Sequence, residues 1–83
     1  MLSSGDRVTP RTPLFRAGDP ATVLWVTEGD NGAIGVAFDD GIEYQAGLAD
    51  FVTQAELPDR DFGATPEPVL ALIRFRRATG YRS

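Results

Sequence analysis

The sequence predicts a mainly β fold: a small, strongly bent barrel of four to five antiparallel strands with a C-terminal α-helix. Three observations lead there. Short runs rich in β-branched and aromatic residues recur along the first two thirds of the chain, two tight-turn signals separate them, and the last third holds one apolar run behind spaced prolines. Eighty-three residues make a single domain. A chain of this size buries only about 60% of the surface its unfolded form exposes, so its core must be economical.

GDRV, residues 5 to 8, reads as a turn leading into the first strand, and TPRTPLFRAGDP after it reads as a proline-spaced loop. ATVLWVT, residues 21 to 27, is the next strand. Strict alternation puts Val23 and Trp25 on one of its faces and Leu24 and Val26 on the other. Asn31-Gly32 then signals a type I′ hairpin, because both central positions of that turn need positive φ. In the following strand Ile34, Val36 and Phe38 share a face, with Gly35 and Ala37 opposite. Asp39, Asp40 and Gly41 break it. Ile42, Tyr44 and Ala46 resume the alternation, which predicts that Phe38 and Ile42 both face inward while Glu43 and Gln45 face away. A short closing strand is expected around Phe51 to Thr53.

Residues 58 to 65 have loop composition, and a helix is predicted over 66–79. Thr65 is placed to cap it, with Pro66 in the first turn, Glu67 near the positive end of the dipole and Gly80 as the stop. A strand is the competing reading, since Ala71, Ile73 and Phe75 alternate with Leu72, Arg74 and Arg76. The 21–27 strand is apolar on both faces and a barrel lines only one, so the other needs cover. Val69, Leu70, Leu72, Ile73 and Phe75 supply it. Their apolar spread exceeds one docking face, which predicts a homodimer through this helix.

The chain has no Cys and no His. Disulfides, the usual zinc sites and the usual general base are therefore absent, and a noncatalytic protein without cofactor or metal is expected. No apolar run is long enough to span a bilayer and MLSSGDRV lacks the pattern of a secretory signal, so the expectation is a cytoplasmic protein with no membrane partner. The net charge of −4 opposes nonspecific binding to nucleic acid. It is unevenly spread: residues 17 to 67 carry eleven acids against one arginine, whereas residues 68 to 83 carry four arginines and no acid. All basic residues are arginine, which we read as codon bias in a GC-rich genome.

GDRV, ATVLWV, VAFDDG and FVTQAEL together resemble the strand order of SH3-like small barrels, especially Tudor, KOW and related bacterial modules, over residues 5 to 57. The resemblance implies a fold and an interaction role. GDRV is also similar to the start of the type II dihydrofolate reductases, tiny barrels whose active site forms at a tetramer pore. That family needs a lysine and a Val-Gln-Ile-Tyr stretch, and this chain has no lysine and reads GIEYQA in the corresponding region.

The candidate binding residues are Tyr44, Asp39, Asp40, Glu43 and Trp25. Trp25 offers a stacking platform, although packing beneath the helix competes with that role. Phe38, Tyr44 and Phe51 resemble part of a Tudor-type aromatic cage that the acids would complete, against core packing as the alternative for Phe38. The acids lack the ligand spacing of a calcium loop, so no metal is expected. Arg74, Arg76 and Arg77 suit a helix C-terminus as well as a phosphate. The leading expectation is a protein-interaction module whose acidic and aromatic hairpin edge binds a basic protein partner. An acidic inhibitor imitating nucleic acid, as in phage or mobile elements, is the second reading. An oligomeric barrel enzyme with a shared pore is the third.

Overall fold

The computed structural model describes residues 2–27 and 32–78, the last three of them by backbone alone. Five antiparallel strands form one sheet: β1 (Arg7–Pro10), β2 (Ala21–Val26), β3 (Ala33–Phe38), β4 (Glu43–Gly47) and β5 (Phe51–Thr53). Short 3-10 turns at Leu48–Asp50 and Gln54–Glu56 flank β5, and the chain ends in helix α1 (Glu67–Ala78). Strand order across the sheet is β4-β3-β2-β1-β5. The helical reading of the apolar run is correct, and the strand reading is not.

In a flat sheet β4 and β5 would stand about 19 Å apart, at some 4.8 Å per strand. Tyr44 of β4 and Phe51 of β5 nevertheless bring their ring centroids within 6.2 Å. The sheet is therefore strongly bent around its inner face. It is not closed into a barrel, because no ladder joins the two edge strands among the described residues. Val8, Ala21, Val23, Ile34, Val36, Phe38 and Phe51 fill the concave side, with Val26, Tyr44 and Ala46 at its margin.

The convex side has a second, smaller core of Leu24, Ala37, Val69 and Ile73, against which Trp25 and Leu72 pack. This is the cover that the doubly apolar β2 requires. Burial of a side chain such as Val69 or Ile73 contributes about 1.5–3 kcal/mol. One detail departs from strict alternation. Val23 pairs with Val36 and Trp25 with Gly35, so Leu24 has no partner and forms a bulge. The extra residue resets the phase: Val23 and Val26 face the concave core, while Leu24 and Trp25 both face the helix. Trp25 thus lies on the opposite side of the sheet from Val23, contrary to the expectation.

The helix begins at Glu67, and the Pro66 carbonyl accepts from the N–H of Leu70 at 3.0 Å. Pro66 is therefore the half-in residue, and Thr65 stands one place ahead of it. The Thr65 hydroxyl lies 3.1 Å from that of Thr22. It ties the helix entry to β2, where a cap was expected. The β2–β3 ladder runs to Val26 and Ile34, and Thr27 and Ala33 extend it through two short hydrogen bonds. The Asn31 turn position and residues 79–80 lie outside the described residues.

Candidate functional site

The hairpin between β3 and β4 has a three-residue loop, Asp39-Asp40-Gly41. Gly41 donates to the Phe38 carbonyl at 2.8 Å, Phe38 donates to Ile42 at 2.8 Å, and Gly41 adopts a φ of 93°. A turn followed by a left-handed residue is the usual three-residue hairpin, and it explains the glycine. The tight hairpin read from VAFDDGIEYQ is present.

Both turn carboxylates are occupied from within the chain. Arg7 grips Asp39 with two parallel bonds of 2.8 and 3.1 Å. The same guanidinium donates to the Thr22 hydroxyl at 2.8 Å and to the carbonyls of Phe62 and Gly63 at 2.6 and 3.1 Å. All five of its N–H groups are used, and the Arg7 side chain is only 10% exposed. Asp40 accepts Arg16 Nη1 on its two oxygens, at 3.0 and 3.1 Å, and also accepts the Ile42 N–H at 3.2 Å. That backbone bond first, and Arg16 second, hold the Asp40 carboxyl below its ordinary range.

Arg16 is the least anticipated part of the site. Its φ of 53° lies in the left-handed region, uncommon for a residue with a side chain. From there its guanidinium reaches Asp19 at 2.9 Å and Asp40 at 3.0 Å, and stands 4.3 Å from the centroid of the Phe38 ring. The place a ligand cation would take over Phe38 is filled by the chain's own arginine. The preceding residue, Phe15, is 51% exposed, yet its ring sits 5.8 Å from Phe38 and 5.4 Å from Tyr44.

Of the predicted residues, Asp40 and Tyr44 reach this corner, through Arg16 and the Phe38 ring, whereas Asp39 is held on Arg7 with Thr22 and Phe62. Tyr44 is half-buried between Phe15, Phe38 and Phe51, while Phe38 and Phe51 belong to the core. Glu43 is exposed on β4. Trp25 is elsewhere, under α1 on the convex side. Ile42, expected to face inward, is 51% exposed. It sits just past the turn at the start of an edge strand, where the neighbouring Phe38 ring is covered by Arg16. Phe15 and Arg16 were missed because they fall inside a proline-spaced loop with no periodicity. The available signal was a Leu-Phe pair in a loop with no core strand to join.

The other candidates separate. Arg74 pairs with Glu67 along the helix, and the side chains of Arg76 and Arg77 lie outside the described residues. Leu70 and Phe75 of α1 are 37% and 65% exposed. No group of three or more metal-ligating side chains occurs among the described residues, and no helix there is long and apolar enough to cross a membrane. No protein-family model matches the chain, and neither a curated protein nor a solved structure matches it.

Proposed function

We propose that the chain is a noncatalytic interaction module that binds a protein partner at the corner formed by Phe15, Ile42 and Tyr44. The observation behind this reading is Phe15: half of its surface is open to solvent while its ring is fixed against Phe38 and Tyr44. A rigid aromatic ring that needs no ordering on binding is the kind of anchor that dominates interface energetics. Ile42, just past the Asp40 turn, offers a further exposed apolar side chain, and Asp40, Arg16 and Asp19 supply polar groups beside the aromatic rings. Carboxylate chemistry points the same way. Asp40 and Glu56 are both held below their ordinary range, which suits structural carboxylates and not general acids. Imitation of nucleic acid draws less support, since Asp39 and Asp40 are each matched by an arginine.

Self-association through α1 is a second part of the proposal, supported by the exposure of Leu70. The test of the main reading is a selection of displayed peptides and domains on the parent chain and on Phe15→Ala. Binders that enrich on the parent and lose affinity for the variant, at unchanged melting temperature, are expected. Binders that hold both equally would remove the Phe15 corner from the proposal.

A further inference from the structure

Beside the paired strands β1 and β5, a cleft of about 350 Å³ is lined by Thr9, Arg11, Gly18, Val52, Leu57 and Arg60, among others. Its volume falls within the range of about 300–1,000 Å³ typical of small-molecule sites. Two cationic side chains border it. Four of the five arginine side chains described, Arg7, Arg11, Arg16 and Arg74, have a carboxylate partner. Arg60 has none among the described residues: Nη2 donates to the Gly18 carbonyl at 2.8 Å and the guanidinium lies 5.7 Å from the Phe62 ring centroid. Arg11 is anchored through Nε on the Ala49 carbonyl at 2.8 Å, and its charge is only weakly matched. Its contact with Glu56 is 3.4 Å, the longest of the ion pairs described, and Glu56 is bound chiefly by the backbone N–H of Thr53 at 2.9 Å.

The third observation is beneath them. Thr9 is 2% exposed and its hydroxyl has no hydrogen-bond partner, alone among the buried side-chain polar atoms described. Buried polar groups are nearly always paired, and an orphan calls for an explanation such as an absent ion or ligand. An orphaned donor buried at the cleft's edge, an unneutralised guanidinium and a second whose carboxylate partner is distant call together for an oxygen-rich anion. Val52 and Leu57 add apolar wall for a small organic body.

We propose that this cleft binds a phosphate monoester of a small molecule, with Arg60 and Arg11 on the phosphate oxygens and the Thr9 hydroxyl as a further donor. Two guanidinium charges match the dianion. The hydroxyl is covered in the structure, so the anion reaches it as the lining side chains shift. Arg11 Nη2 turns to the anion by leaving Glu56 while Nε keeps the Ala49 carbonyl, at little cost, because an exposed ion pair of that length contributes little.

Inorganic phosphate is the probe, titrated into the full chain at constant ionic strength while amide shifts are followed by NMR. Saturable shifts centred on Thr9, Arg11 and Gly18 are expected, with acetate about tenfold weaker. Arg60→Gln should weaken phosphate about tenfold, the loss of one charge-assisted bond. Thr9→Val should also weaken it, while melting no lower than the parent in the absence of phosphate because the orphan is gone. Shifts that stay linear in phosphate, acetate binding equal to phosphate, or unchanged affinity in Arg60→Gln would each overturn the proposal.

Discussion

The indole of Trp25 occupies the space that a side chain at residue 35 would need. A Cβ built on Gly35 would come within 2.6 Å of Cζ2 of that ring, and closer still to Cε2 and Nε1. The two residues are ladder partners, and the bulge at Leu24 turns the indole toward the helix, over Gly35. Gly35 is thus the floor on which the β2–α1 contact is laid.

Gly35→Ala should therefore expel the indole and destabilise by about 1–3 kcal/mol, the usual cost of overpacking. Denaturant titration followed by tryptophan emission checks it. A red-shifted native spectrum and a lower midpoint are expected, and an unchanged pair of values would mean that the contact yields freely.

Arg7 joins four parts of the chain: β1, Thr22 of β2, the hairpin at Asp39 and the loop at Phe62–Gly63. Lysine keeps the charge but cannot reproduce a five-bond fork. Arg7→Lys should cost about 2–3 kcal/mol, since it leaves buried acceptors unpaired. Hydrogen exchange should quicken most at residues 61 to 66, which that fork holds to the sheet. Uniform acceleration across the protein would argue against a local latch.

At Gly41 the backbone sets the requirement, not the space. Its φ is 93°, and an added Cβ would meet nothing within 4 Å. Gly41→Val should cost about 1–2 kcal/mol through the left-handed backbone alone. Gly41→Asn, which tolerates that region better, should recover part of it. Equal losses in both variants would point to a different cause.

The pH dependence follows from Asp40 and Glu56. Both carboxyls are held below their ordinary values of 3.8 and 4.5, Asp40 chiefly by the Ile42 N–H and Glu56 chiefly by the Thr53 N–H. A depressed folded pKa means stability that is fully present above the unfolded value and lost as pH falls through the folded one. Melting temperature should thus decline on acidification below about pH 4.5. Carboxyl titrations by NMR should give midpoints under the ordinary values. Arg16→Gln should leave Asp40 still depressed, because the backbone bond is the larger cause.

Much of this fold is legible in the sequence because its strands are short, β-branched and bounded by turn residues. VAFDDGIEYQ announces its hairpin through one glycine, and the need to cover β2 announces the helix. The bulge at Leu24 is not legible. All four residues from Val23 to Val26 are apolar, so hydrophobicity gives no phase to count. The partners of Asp39 and Asp40 were hidden for another reason: Arg7 and Arg16 are more than twenty residues away in the chain, and only the folded sheet brings them to the turn. Local charge in the sequence therefore read as a projecting acidic edge.

That pairing changes what the hairpin should do in binding. With Asp39 held by Arg7 and Asp40 by Arg16, the double change Asp39→Asn, Asp40→Asn should act mainly on stability, with a small effect on association rate. The aromatic ring carries the contact. Phe15 is half exposed, so Phe15→Ala should cost at most about 1 kcal/mol of stability while weakening partner binding by about 1–2 kcal/mol. Tyr44→Ala should reduce both, since its ring also supports Phe51 across the open seam between β4 and β5. Calorimetric binding and melting of the three variants, measured against one selected partner, distinguish these effects. If Phe15→Ala binds as the parent does while the double Asp variant does not, the acidic edge and not the ring is the site.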